Sequence, residues 1–231
     1  EVEIVQKKFK YFAGHSLGEY SALVCAKSLD FKDGLFLLNE RGKAMQEAVP
    51  VGGGLMAAVL GSDISTMEDL LKNNITSGIC EIANDNSDSQ IIISGDAKTV
   101  TMFQEILKTK KIKSMLLPVS APFHCSLMKP AADNFKTKIE KIKFDTPKID
   151  VLSNVTGEPE NDPISIKNLL IKQIYSKVRW RESILYMKQN DINKFIEIGP
   201  GKILSGLLKR MLKLNSFTNI STTEDIKNIN K

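Results

Sequence analysis

The sequence predicts an α/β chain: a large domain built on a mainly parallel sheet, interrupted by a small ferredoxin-like domain. Three observations carry that expectation. Strand-like and helix-like apolar periods alternate along most of the chain. One run reads β-α-β-β-α-β between a Gly-rich break and a Pro-containing one. A G-x-S-x-G sequence, Gly14-His15-Ser16-Leu17-Gly18, falls between a strand and a helix.

Taken in order, FKYFAG reads as a short strand, and Leu17 to Lys27 as a helix with Ala22, Leu23 and Ala26 on its apolar side. Asp33 is positioned to cap a second helix running to about Val49, which the breakers Pro50, Gly52, Gly53 and Gly54 end. There follow strand LMAAVL, a helix opened at Ser62-Asp63, strands CEIAN and QIIISG, a helix from about Ala97 to Lys108, and strand SMLLPV. This segment, residues 52–118, reads as the inserted ferredoxin-like domain, leaving 1–51 and 119–231 as the discontinuous large domain. Leu127, Ala131, Phe135, Ile139 and Ile142 recur at helical spacing. Strand KIDVLS, helices from Ile164 to Ile174 and from Arg181 to Lys188, strand KFIEIG and a helix opening at Gly201 complete the pattern. The polar tail after Asn215 is expected to be partly loose.

Composition bounds the function. With 231 residues, 42% hydrophobic and 26% charged, the chain is neither disordered nor collagen-like. No apolar run approaches the ~20 residues of a spanning helix, and the first residues lack the pattern of a signal peptide, so no membrane role is expected. Cys25, Cys80 and Cys125 are odd in number and have no CxxC spacing, which predicts neither a disulfide framework nor a metal site. The net charge of +5 rests on lysine, 28 of 32 basic residues, with one Trp and no zinc-finger or RNP-like pattern. Nucleic acid is thereby excluded as an expected partner, and an acidic partner remains open.

The chemistry gathers at the elbow. Flanking glycines permit a tight turn that projects the Ser16 hydroxyl, while the Leu17 amide at the helix N-terminus can donate to an oxyanion. Such a serine needs a base. His15 lies inside the elbow and reads as a packing or pocket-lining residue. His124, after the Pro122-Phe123 turn, is the base candidate, with a helix-capping or packing histidine as the alternative. No acidic residue marks itself as the third group, so a backbone carbonyl or an amide is open for that role. Cys125 reads as a buried inert thiol, since it has no independent base. Arg41, with Met45 one turn later, is either solvated or a bidentate clamp for a carboxylate.

With GHSLGEYSAL, RGKAMQ, SAPFHCSLM and FIEIGPGKIL present in that order, the chain resembles the malonyl-coenzyme A:acyl carrier protein transacylase family of dissociated type II fatty acid synthesis. It resembles, less closely, the acyltransferase domains of polyketide and animal fatty acid synthases. The resemblance implies an α/β-hydrolase-like large domain with a ferredoxin-like insertion. It implies Ser16 as the acyl-carrying nucleophile, His124 as base and acid, and Arg41 as partner of the malonyl carboxylate. It further implies that the main-chain carbonyl of Gln173 orients the histidine, and that Met45, Phe123 and Asn86 line the acyl and pantetheine site. Phe123 stands where malonyl-specific members carry a bulky residue. Malonyl-CoA and acyl carrier protein are the implied partners, and neither metal nor redox cofactor is implied. The chain is read as a monomer.

Family members carry a GQGSQ-type loop well upstream of the elbow, which supplies a second oxyanion amide. Only fifteen residues precede Ser16 here, so a longer protein is expected. Heavy use of Lys, Asn and Ile suggests an AT-rich genome and hence a plastid, with bacterial cytoplasm or mitochondrion as alternatives. A serine esterase shares the elbow, but its histidine usually comes late in the chain, whereas none follows His124. A non-catalytic carrier-binding module is the remaining alternative.

Overall fold

The computed structural model describes residues 9–212 and 217–229. Contacts divide the chain into two compact units, one ending at Ser183 and the other beginning at Ile184.

In the first unit, β1 (Tyr11–Ala13) leads through the elbow into α1 (Gly18–Cys25), which is followed by α2 (Phe31–Glu47). The cap of α2 is Asp30 rather than the expected Asp33. Asp30 has the extended backbone a cap requires and its carboxylate accepts from the Lys32 amide at 2.8 Å, whereas Asp33 already lies in the first helical turn. Asp33 there complements the helix dipole.

Beyond the glycines come β2 (Gly54–Leu60), α3 (Ile64–Asn74), β3 (Cys80–Ser87), β4 (Gln90–Asp96), α4 (Ala97–Thr109) and β5 (Lys113–Leu116). Their antiparallel sheet has the order β3-β4-β2-β5, the ferredoxin-like arrangement. The period of two is plain in its packing. Ala57, Val59, Ile91 and Ile93 pack with Met67, Val100, Phe103 and Leu107 of the helices. Met56, Ala58 and Ile92 form a separate apolar cluster with Ala83, against which Leu117 and Phe123 rest. Asp63 and Asp96 cap the two helices.

A 3-10 turn at Ser126–Met128 precedes α5 (Lys129–Ile139), which therefore opens later than Leu127; Pro130 sits in its first turn, where no amide is needed. The core of this part joins α1, α2 and α5 through Tyr20, Leu23, Leu37, Met45, Phe135 and Ile139. Next come β6 (Asp150–Leu152), the two-residue β7 (Pro159–Glu160), α6 (Pro163–Gln173) and α7 (Trp180–Gln189), whose residues from Ile184 on belong to the second unit. β6 lies parallel to β1 and antiparallel to β7. Since β1 and β6 run the same way, the segments leaving them, 14–16 and 153–154, emerge at one sheet edge, where ligand sites of parallel sheets form.

The second unit holds β8 (Phe195–Ile198), α8 (Ile203–Leu212), β9 (Phe217–Ile220) and α9 (Thr223–Ile229). β8 and β9 are parallel, as a strand-helix-strand crossover requires, and the Phe195 and Phe217 ring centroids lie 6.1 Å apart. The tail expected to be loose after Asn215 is thus, over 217–229, a paired strand and a helix. The Phe217–Phe195 contact and β8 give it a partner. Parallel pairs joined through helices, together with the antiparallel ferredoxin-like sheet, make the mixed α/β architecture that the alternation predicts. Among the described residues no helix is long and apolar enough to cross a membrane.

Candidate active site

Ser16 sits at φ 52°, in the left-handed region that a non-glycine residue occupies only when its surroundings hold it there. Its amide donates to Asn154 Oδ1 at 2.7 Å, and Asn154 Nδ2 donates to the Gly14 carbonyl at 2.8 Å, so one side chain from the end of β6 clamps both sides of the bend. Gly14 is sterically required: a Cβ there would lie 1.9 Å from the Gly18 carbonyl oxygen. A Cβ on Gly18 would meet nothing, so the two elbow glycines are not equivalent. The amides of Gly18, Glu19 and Tyr20 donate to the carbonyls of His15, Ser16 and Leu17. The Leu17 side chain is exposed, and its amide stands at the N-terminal end of α1, where the dipole favours negative charge.

The Ser16 hydroxyl oxygen lies 2.8 Å from His124 Nε2, and Arg41 Nη2 donates to it at 2.9 Å. His124 Nδ1 lies 2.8 Å from the Gln173 main-chain oxygen. A carbonyl only accepts, so Nδ1 carries the proton and Nε2 is left as an acceptor facing the serine. Burial, reinforced by the charge of Arg41, pushes His124 down to about 3. The imidazole is therefore neutral and available as a base throughout the neutral range. Nitrogen-resolved NMR should find His124 in its Nδ1-protonated neutral form from pH 8 to 5, where an ordinary histidine titrates near 6.5. The folded site refuses a proton that the unfolded chain accepts below about 6.5, so the stability associated with His124 is lost as pH falls from there towards 3. Titration of the ring at pH 6 to 7 would contradict this geometry.

Arg41 is buried on α2, with its guanidinium also donating from Nη2 to Gln173 Oε1 at 3.1 Å and lying over the Tyr20 ring at 5.9 Å. No described residue accepts from its Nε. A buried guanidinium with an unpaired donor beside a nucleophile is suited to a carboxylate-bearing ligand.

The other expected residues take different positions. Asn86, at the end of β3, accepts from His15 Nε2 at 2.8 Å and donates to Gln90 Oε1 at 3.3 Å; the His15 ring lies 5.6 Å from Trp180. Asn86 thus holds the elbow's histidine. Met45 is enclosed in the core of α1, α2 and α5, and Phe123, half-buried beside His124, packs against that core and against the Met56 cluster. Cys125 donates its S–H to the Pro122 carbonyl at 3.1 Å, and burial pushes its thiol up to about 11, which leaves it inert.

Sequence reasoning missed Glu19, Asn154 and the side chain of Gln173. Glu19 is fully enclosed; burial raises its carboxyl to about 7 against the pull of the Asn154 amide, the Gln173 side chain and the Arg41 charge. The available signals were Glu19 three residues after the serine within GHSLGEY and Asn154 just after a strand end.

An elbow serine hydrogen-bonded to a buried histidine and arginine on this mixed α/β scaffold is an arrangement suited to acyl transfer. The chain belongs to the acyl transferase domain family, which matches residues 8–228. The malonyl CoA-acyl carrier protein transacylase of Escherichia coli strain K12 is 42% identical over 201 residues, covering 87% of this chain and 65% of the relative. The chain thus spans just under two thirds of that relative's length. The crystal structure of an acyl-carrier-protein-S-malonyltransferase from Bartonella henselae is 44% identical with a TM-score of 0.93, covering 97% of this chain and 72% of that one. A type II PKS acyl-carrier protein in complex with its malonyl-transacylase is similar at 37% identity and a TM-score of 0.91, over 98% of this chain and 75% of that one. Both named organisms are bacteria, which lends no support to the expectation of a plastid.

Proposed function

We propose that this chain transfers a malonyl group from malonyl-CoA to the phosphopantetheine thiol of acyl carrier protein through an ester on Ser16. One observation carries the reading: the Ser16 hydroxyl is held between the basic nitrogen of His124 and the guanidinium of Arg41. The names of the relatives supply the acyl group and the carrier.

In the first half-reaction His124 Nε2 takes the hydroxyl proton as Ser16 Oγ attacks the thioester carbonyl. The Leu17 amide and the α1 dipole stabilise the oxyanion. The C–S bond then breaks, and His124 returns the proton to the departing coenzyme A sulfur. In the second half-reaction the carrier thiol gives its proton to His124 and attacks the ester, and Ser16 Oγ leaves with that proton. Acyl exchange between thiol and hydroxyl balances without a metal or redox cofactor. Arg41 holds the malonyl carboxylate, and Phe123 beside His124 limits branching at the α-carbon. Every group named comes from one chain, so a monomer suffices.

Intact-mass measurement on the full-length protein mixed with malonyl-CoA tests the reading. A mass gain of one malonyl group, mapped to Ser16 and discharged by the carrier thiol, is expected. Absence of the adduct ends the proposal. Release of free malonate without any carrier would instead favour an esterase.

A further inference from the structure

We propose that Glu19 is a positioning residue for the acyl-transfer site: its carboxylate sets the orientation of the Gln173 amide and holds Asn154, and through these two it keeps Arg41, His124 and Ser16 in register. The proposal rests on the acyl-transfer reading above. Glu19 Oε2 accepts from Gln173 Nε2 at 2.7 Å and from the Asn154 amide at 3.1 Å. Gln173 offers Oε1 to Arg41 at 3.1 Å and its main-chain oxygen to His124 at 2.8 Å, and Nε2 also reaches the Ser16 carbonyl at 3.0 Å. Asn154 accepts from the Ser16 amide at 2.7 Å. Each of the three acting side chains is one bonded neighbour away from a residue that Glu19 holds.

The physical argument concerns the polarity of these groups. A primary amide turns end for end at little steric cost, so its neighbours decide which end is which. A carboxylate only accepts and a guanidinium only donates. Between the two, Gln173 has a single orientation that satisfies both, with Nε2 towards Glu19 and Oε1 towards Arg41. A neutral acid or an amide at position 19 can also donate, and a reversed Gln173 would then satisfy it while turning an NH₂ group against the guanidinium. The Ser16 carbonyl and the Arg41 guanidinium favour the same orientation, and the Glu19 carboxylate adds to it the shortest, charge-assisted acceptor of Nε2. Burial raises this carboxyl to about 7, and the charged or titratable side chains coupled to it are Arg41 on α2 and Tyr20 beside it on α1. The organising carboxylate accordingly gives way to the acid as pH falls below neutrality.

The test uses the full-length protein with Glu19→Gln, which keeps shape and an acceptor, and Glu19→Ala, which removes both. Readouts are Ser16 acylation by malonyl-CoA and acetyl-CoA, and Ser16 labelling by a fluorophosphonate, which requires the Ser16–His124 pair but no acyl donor. Glu19→Gln is expected to lower kcat about 10-fold and Glu19→Ala about 100-fold, with KM changing much less, as for misplacement of otherwise intact groups. Both should narrow the preference for malonyl over acetyl, and the acid limb near pH 7 in wild type should vanish in Glu19→Gln. A folded Glu19→Gln protein with wild-type labelling rate, preference and acid limb overturns the proposal. Should Glu19→Ala fail to fold, Glu19→Gln alone decides. If wild type is labelled by the fluorophosphonate but not by malonyl-CoA, the functional reading fails, while slower labelling of the variants still supports Glu19 as the positioning residue.

Discussion

Ser16→Ala is expected to abolish the malonyl adduct, and His124→Ala to slow its formation by on the order of 10⁴-fold or more, the scale seen when either member of a nucleophile–base pair is removed. The geometry explains why the losses should not add. The hydroxyl sits 2.8 Å from a nitrogen that can only accept, because the Gln173 carbonyl holds the other nitrogen's proton. Without the base, Ser16 is an ordinary alcohol; without Ser16, the neutral imidazole has no proton to take. The double variant should therefore be no slower than the worse single one. Time-resolved intact mass spectrometry measures all three proteins. Adduct formation by Ser16→Ala at the wild-type rate would reassign the nucleophile.

The pair was legible in the sequence because its signals are local. G-x-S-x-G between a strand and a helix marks Ser16, and with two histidines in the chain, one inside the elbow, His124 follows. The partner of the imidazole was not legible from residue types, because a main-chain carbonyl leaves no mark on composition; Gln173 came only with the family resemblance. Glu19 and Asn154 were missed for a different reason. They meet across 135 residues of sequence, Glu19 in the first turn of α1 and Asn154 just beyond β6, and neither is unusual until the fold buries them together. The same contrast runs through the fold. Strands β2 to β5 were readable from alternation and short connections, whereas β9 is four residues with polar members that find their partner β8 across a crossover. Asp30 and Asp33, both near the start of α2, illustrate how backbone conformation rather than residue type decides which acid caps.

Arg41→Ala is expected to lower malonyl transfer by on the order of 10²- to 10³-fold more than it lowers acetyl transfer, the 2 to 5 kcal/mol scale of a buried charge pair losing one partner. If Arg41 acted as a carboxylate clamp alone, its loss would damage acetyl transfer far less than malonyl transfer or even improve it. The structure changes that expectation, because Arg41 Nη2 also donates to Ser16 Oγ and to Gln173 Oε1. Losing those bonds removes positive charge from beside the nucleophile and an anchor from Gln173, so acetyl transfer should fall too, by about 10-fold. The clamp is read in the ratio of the two rates rather than in either alone. Arg41→Lys keeps the charge but not the planar fork that serves a carboxylate while still bonding Gln173, so it should recover only part of the preference. Discrimination is electrostatic on this account: an acetyl group leaves the buried Arg41 Nε without an acceptor, whereas a malonyl carboxylate supplies one. Competition between malonyl-CoA and acetyl-CoA, followed by intact mass of the Ser16 ester, measures the ratio directly. Equal losses for both acyl groups in Arg41→Ala would make Arg41 a support for the nucleophile and not the reader of the substrate's carboxylate.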